Sequence, residues 1–155
     1  MNRTYTAERE RERFEAYALT FLNIPYYWGG DDPILGFDCS GITQDLYQWL
    51  GLDPQGDQTA QGLFDHFVKP ENGAVVPVAD LATLCFYGRS IREIVHVGVA
   101  LDGFRMIEAG GGGRDTKDLK TAAKRNAFVK VRNIRRRPDL IAMVAPHGLP
   151  WEQQT

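Results

Sequence analysis

Thiol and imidazole groups are scarce in this sequence, with two cysteines and three histidines in 155 residues. That supply is too small for a thiolate-rich zinc site. Nothing local suggests that Cys39 and Cys85 pair as a disulfide. No apolar run approaches the ~20 residues that cross a bilayer. Charge of one sign is also missing: the formal net charge is −2, so nothing draws the chain as a whole to nucleic acid or to an anionic membrane. The one basic run, Arg132 to Arg137, is expected to be a solvated strand edge. The N-terminus, Met1-Asn2-Arg3-Thr4-Tyr5 followed by charged residues, lacks the apolar stretch of a secretory signal. The expectation is synthesis in the cytoplasm, with another agent carrying the protein if it acts outside. Repeats and low-complexity linkers are absent as well. Residues 1–155 are therefore expected to form one domain, at a length that buries a core without metal or disulfide staples.

What is present is an ordinary globular composition, 43% hydrophobic and 25% charged. The spacing of Phe14, Tyr17, Ala18, Phe21 and Leu22 predicts a helix over 7–22 with those residues on one face, ended by Pro25. Tyr26-Tyr27-Trp28-Gly29-Gly30 and Asp31-Asp32-Pro33 read as a turn-rich surface loop. A second helix should open near Asp38 or Cys39, carry Ile42, Leu46, Trp49 and Leu50 inward, and stop at Gly51. Thr59 to Phe67 predicts a shorter helix with Leu63, Phe64 and Phe67 inward. After Gly73 the pattern turns to strands: 81–87, 95–101, 104–109, 128–131 and 140–144, with a short helix over 119–126. The tail from Pro146 is expected to be peripheral. Helices followed by antiparallel strands indicate an α+β fold.

Gly36-Phe37-Asp38-Cys39-Ser40-Gly41-Ile42 is the segment richest in chemistry. Asp38 suits an N-cap, which sets Cys39 in the first helical turn. Free backbone N–H groups and the helix dipole favour a thiolate there, and the thiolate is the attacking species of a cysteine hydrolase. Ser40 and Gly41 are small enough to leave room for an incoming carbonyl, and the Cys39 N–H could donate to its oxyanion. A buried, inert cysteine is the competing reading. Cys85, between Leu84 and Phe86, fits that inert role better.

In Val95-His96-Val97-Gly98-Val99-Ala100-Leu101 the valines share one face; His96, Gly98 and Ala100 share the other. That second face is low, leaving room for another element or for a cleft. A two-residue turn at Asp102-Gly103 would put Glu108 among the core valines at high cost. A three-residue loop, Leu101-Asp102-Gly103 with Gly103 left-handed, pairs Ala100 with Phe104, Gly98 with Met106 and His96 with Glu108. This register is favoured because it sets a carboxylate beside the imidazole, where it can fix the tautomer and raise the histidine pKa. A structural His96 and a solvent-exposed Glu108 are the alternatives. His66, late in a helix, reads as surface or cap but stays a candidate on spacing alone; His147 lies in the tail.

Taken together, Pro25-Tyr26-Tyr27-Trp28-Gly29-Gly30, Phe37-Asp38-Cys39-Ser40-Gly41 and His96-Val97-Gly98-Val99 resemble the NlpC/P60 superfamily of cell-wall peptidases, over roughly residues 12–110. Asp80-Leu81 and Phe86 resemble the strand leading to the family's histidine. The resemblance implies a papain-like NlpC/P60 fold, with the nucleophile's helix packed on a small antiparallel sheet. It implies Cys39 as nucleophile, His96 as base and Glu108 at the third catalytic position, where the family usually has histidine, asparagine or glutamine. It places Tyr26 against the cysteine side of the cleft and the substrate. It sets Asp38 and Ser40 where the free amine of a muropeptide would lie. Trp28 joins them as aromatic lining. The implied reaction is hydrolysis of an amide bond in a peptidoglycan stem peptide, with D-γ-glutamyl–diaminopimelate or –lysine as the bond, and without metal or organic cofactor. Compact members of this type also resemble phage or prophage proteins, with tail or lysis components as partners. The run from Gly110 to Thr116 is expected to be a long flexible connection, either a lid over the cleft or a surface loop.

Two other readings share these residues. A thiol amidase or acyltransferase acting on a lipid or small amide would have a deep apolar tunnel beside Cys39. A non-enzymatic tail or assembly protein would keep the fold without His96 and Glu108 converging on Cys39, or would plug the cleft.

Overall fold

A computed structural model describes residues 3–152. Helix α1 runs from Arg3–Leu19, earlier at both ends than the spacing predicts. Phe14, Ala18 and Phe21 are buried, but Leu22 is exposed rather than on the buried face. The chain leaves the helix through turns to Asn23, whose φ of 70° is left-handed. Asn23 N then donates to Val129 O at 3.0 Å, so the sheet captures the backbone before Pro25 is reached.

The loop that follows is more regular than expected. Strands β1 (Asp31–Asp32) and β2 (Gly36–Phe37) form a small antiparallel hairpin. Helix α2 (Cys39–Leu50) matches the sequence reading: Asp38 caps its start and Gly51, at φ 73°, its end. Ile42, Leu46 and Leu50 face the core at helical spacing. Trp49 turns instead toward α1, its ring 5.8 Å from Tyr17 and 5.6 Å from Phe14. Helix α3 (Ala60–Phe67) is capped by Thr59 and buries Leu63, Phe64 and Phe67, as its pattern predicts.

The other strands are β3 (Gly73–Val75), β4 (Leu84–Gly88), β5 (Ile94–Ala100), β6 (Arg105–Gly110), β7 (Phe128–Asn133) and β8 (Leu140–Pro146). Helix α4 (Leu119–Lys124) lies between β6 and β7. The six strands make one antiparallel sheet in the order β3-β8-β4-β5-β6-β7. β4 starts three residues later than predicted, because residues 81–83 form a turn, with Ala82 left-handed at φ 69°. β3 carries no alternation and was not separable from loop in the sequence.

Alternation along the central strands divides the interior in two. Leu84, Phe86, Val97, Val99 and Ile107 join the core under the helices. Cys85, Tyr87, Ala100, Met106, Ile134 and Met143 make a smaller cluster on the other side. The low face of β5 is thus filled by a neighbour: the Met106 side chain lies across Gly98.

The β5–β6 register differs from the expected one. Val99 pairs with Ile107 and Ala100 with Met106, two residues away from the predicted pairing. The turn is Asp102-Gly103-Phe104, closed by Leu101 N donating to Arg105 O at 2.8 Å. Gly103 is not left-handed. The Asp102 carboxylate does the turning, accepting from Phe104 N at 2.8 Å and Arg105 N at 2.7 Å. A two-residue displacement preserves parity, so Glu108 stays on the side of His96.

The tail is not peripheral. Leu149 and Trp151 are buried, and Trp151 packs on Phe14 at 5.7 Å with the Arg11 guanidinium 5.5 Å above its ring. A single aromatic after a proline and glycine gives no periodic signal. Replacing Trp151 with alanine is expected to cost about 3 kcal/mol of unfolding free energy. Urea denaturation checks this, and an unchanged midpoint would return the tail to the surface.

Candidate active site

The site begins with one aspartate. Asp38 is extended (φ −90°, ψ −177°), and its Oδ1 accepts from Gly41 N at 2.8 Å and from Ser40 Oγ at 3.1 Å. Its Oδ2 accepts from Gly29 N at 3.0 Å. One carboxylate thereby caps α2 and ties the aromatic loop to it. Burial raises the Asp38 pKa, and the three donors oppose that rise. Gly41 is required by packing: a Cβ there would lie 2.0 Å from Gly30 O. Cys39 is held on the first turn, partly exposed and free of any disulfide.

His96 arrives from β5 by way of a bulge. Gly88 pairs with Ile94 and Tyr87 with His96, leaving Val95 as the extra residue. Gln61 of α3 secures the approach, its Oε1 accepting from Ile94 N at 2.8 Å. The imidazole is 7% exposed, hydrogen-bonds Glu108 and lines the same cavity as Cys39, whose charge acts on it. Its Nε2 meets Glu108 Oε2 in a short contact. Burial alone would lower the histidine pKa. The hydrogen bonds and negative charge of Cys39 and Glu108 outweigh it and raise the value from 6.5 to about 9. Glu108 is itself buried, and its Oε1 lies 3.2 Å from Arg132 Nε of β7. The exposed strand-end alternative for Glu108 is excluded.

These groups open onto a cavity of about 710 Å³ lined by Tyr26, Trp28, Asp38, Cys39, Ser40 and His96, among others. Every site residue proposed from sequence lines it except Glu108, which stands behind His96. Tyr26 is buried, and burial first, then the charges of Cys39 and Asp38, push its pKa up, so the phenol keeps its proton. Trp28 is 40% exposed at the rim, under the Arg114 guanidinium at 5.9 Å.

The glycine run forms a wall of this cavity, tied by hydrogen bonds and a close approach to Tyr26. Gly112 lies so close to Tyr26 that a Cβ would be 2.1 Å from the ring. Thr116 is fully buried; its carbonyl accepts from Trp28 N at 2.8 Å and its hydroxyl from Gly113 N at 3.1 Å. Arg125 holds the loop from below through Asp115 and Thr116.

Sequence reasoning missed two arginines. Arg135 and Arg136 are solvated as expected, but Arg132 turns toward Glu108 and Arg137 into the cavity wall. Arg137 pairs with Asp139 at 2.7 Å and lies 5.0 Å from the Tyr87 ring. Alternation in β7 puts Arg132 on the Glu108 side, a signal available once the strand reaches Asn133. His66 and His147 are elsewhere: the first packs on Phe67 at 4.7 Å, and the second bonds Pro70 O at 3.1 Å. Cys85 is buried with its pKa pushed up to about 12 by burial and by Glu108.

Residues 23–133 match the NlpC/P60 family, well over half of the chain. The chain belongs to the NlpC/P60 family. Among named relatives it is 31% identical over 121 residues to the bifunctional muramidase/DL-endopeptidase CwlT of Bacillus subtilis (strain 168), across 76% of this chain and 35% of that protein. It is 34% identical over 91 residues to a protein named "Probable endopeptidase YafL" from Escherichia coli (strain K12), across 57% of this chain and 34% of that one. The chain thus spans about a third of these relatives' lengths. Among solved structures, the NlpC/p60 domain of peptidoglycan hydrolase SagA superposes with a TM-score of 0.62 at 26% identity, covering 87% of this chain and 97% of that one. An NlpC/P60 family protein from Bacillus cereus ATCC 10987 shares the fold at a TM-score of 0.66 and 19% identity, over 90% of this chain and 40% of that one. The NlpC/P60 assignment accords with the α+β architecture read from the sequence.

The histidine's raised pKa has a consequence for stability. The native site binds the proton more tightly than the unfolded chain, whose histidine titrates near 6.5. The stabilisation is complete below that value and is lost as pH rises through about 9. Unfolding free energy, measured by denaturant titration from pH 6 to 10, is expected to decline across this window relative to His96→Gln. Parallel curves for the two proteins would contradict it.

Proposed function

We propose that this chain is a cysteine peptidase that hydrolyses an amide bond in peptidoglycan stem peptides, with Cys39 as nucleophile, His96 as base and Glu108 as the group that orients His96. Cys39 and His96 on one cavity, with Glu108 bonded to His96 from behind, carry the reading. The endopeptidase names of its relatives support the substrate class. The bond we favour joins D-γ-glutamate to diaminopimelate or lysine.

Cys39 Sγ attacks the carbonyl carbon while His96 holds the thiol proton, and the Cys39 N–H at the helix start donates to the oxyanion. The neutral Tyr26 hydroxyl stands on the cysteine side of the cavity and meets the substrate there. His96 passes its proton to the leaving amine. Water then opens the acyl-enzyme with His96 as base. Asp38 and Ser40 receive the free amine of the stem peptide. Three donors already occupy Asp38, which leaves about one acceptor position on a carboxylate with about four. Trp28 lines the rim.

Asp38, Ser40, Thr59, His96 and Arg137 line the cavity beside the aromatics and Ala60, Ile94 and Val95, and these polar groups supply hydrogen-bonding sites for a peptide. Against the non-enzymatic reading, Cys39 and His96 line one open cavity, with Glu108 bonded to His96 behind it. Peptidoglycan lies outside the cytoplasmic membrane, so the proposal also requires delivery. Among the described residues, no helix is long and apolar enough to cross a membrane.

Digestion of purified muropeptides, followed by mass spectrometry, tests the proposal. Wild-type protein should release one defined peptide product and Cys39→Ala should release none. The same products from both would refute it. In the same assay Gly112→Ala, whose new methyl group meets the Tyr26 ring, should lower kcat/KM by roughly 100-fold. Wild-type rates in that variant would mean that the glycine wall does not position Tyr26.

A further inference from the structure

Glu108 is 4% exposed, and an ionised carboxylate at that depth needs compensation at both oxygens. Oε2 is engaged by His96 Nε2. Oε1 faces Arg132, whose Nε stands 3.2 Å away. That Nε–H is itself buried and makes no aligned hydrogen bond, so Arg132 answers Glu108 as a charge rather than as a directed donor.

We propose that Arg132 is a positioning residue of this site: its guanidinium is the counter-charge to the Glu108 carboxylate that bonds His96. Resting on the cysteine–histidine chemistry proposed above, this adds a fourth member to it. Arg132, Glu108, His96 and Cys39 then form a row of alternating sign, and in the thiolate–imidazolium state their charges cancel. A buried row that sums to zero is far less costly than one carrying a surplus charge.

The signs follow from electrostatics. With Arg132 neutralised and Glu108 intact, the uncompensated carboxylate holds the imidazolium proton more tightly. With Glu108 neutralised and Arg132 intact, a buried guanidinium stands near the imidazole and repels that proton. Neutralising both restores the balance. The other titratable groups around the row are Cys85 and Tyr87 on β4, Tyr26 and Asp38 beside Cys39, and Arg137 with its partner Asp139. Lys130, paired with Glu108 across β6 and β7, sends its amine to Asn126 O at 2.6 Å. All of these are unchanged in the variants compared, so differences report Arg132 and Glu108.

The test is a titration of the His96 ring nitrogens by 15N NMR in the full chain, which needs no substrate. Relative to wild type, R132Q should raise the His96 midpoint by about one pH unit and E108Q should lower it by about one. E108Q/R132Q should fall between them, and R132K, which keeps the charge, should stay near wild type. In muropeptide turnover, E108Q/R132Q should exceed E108Q by about tenfold, because the stranded guanidinium has gone. An unmoved midpoint in R132Q, with R132K as damaging as R132Q, would make Arg132 a packing residue and overturn the proposal. If R132Q does not fold, the comparison of E108Q with E108Q/R132Q decides alone: a midpoint that does not rise in the double variant also overturns it. Because the titration reads no cleavage, failure of the peptidoglycan reading would leave this result standing, and failure here would leave cleavage intact.

Discussion

A protonated imidazole buried to the depth of His96 would lose several kcal/mol of solvation if it stood alone. Here the ring is bonded to a carboxylate through Nε2 and feels the charge of the Cys39 thiol beside it. Much of the local structure serves that arrangement. The bulge at Val95 lets His96 and Ile94 take their separate places, one toward the site and one into the helix-side core. Gln61 of α3 accepts from the Ile94 backbone and fixes where the bulge begins. α2 packs over β5 and β6, which brings the first residue of that helix to the ring.

Close backbone approaches shape the cleft around this pair. Gly30 O lies against Gly41, and Gly112 lies against the Tyr26 ring, at separations that leave no space for a methyl group. Asp38 joins the two segments that carry Cys39 and Trp28, and Thr116 joins the opposite wall to the same aromatic loop. Walls tied down in this way lose little freedom when a substrate enters, which is how a site holds reacting groups in position before binding. Glycine runs read as flexible in a sequence because nothing in them shows a partner. The partner here is an aromatic ring some 86 positions away along the chain, from Tyr26 to Gly112.

What the sequence made legible was local. α2 and α3 have caps, a helical stripe and, for α2, a glycine stop within a dozen residues, so their placement needed no tertiary information. The position of Cys39 came with them, since a capped helix start is a local property. Features that depend on distant contacts were misread or missed. Trp151 owes its burial to Phe14 and Arg11 at the other end of the chain. Leu22 looked like a core residue by spacing, but the helix ends before it and the sheet captures the next backbone N–H. The basic run looked like one solvated edge, yet alternation along β7 and a 3-10 turn send its arginines different ways. The glutamate partner of Arg132 lies on another strand, so no local pattern could have shown the pair.

The hairpin between His96 and Glu108 shows why a side-chain pairing can survive an error in the structure used to find it. The expected turn relied on a left-handed Gly103; the observed turn is organised by the Asp102 carboxylate, and the register differs by two residues. Side chains on a strand alternate with a period of two, so a displacement of one would have put Glu108 among the valines, while a displacement of two leaves it facing the imidazole. The energetic penalty for burying that carboxylate in the apolar core acts on parity alone, and it holds whichever turn the loop adopts. Selection for a charged residue beside His96 and selection against one beneath the helices are thus the same constraint. It is carried by the strand pattern and is insensitive to the loop chemistry that sets the exact pairing.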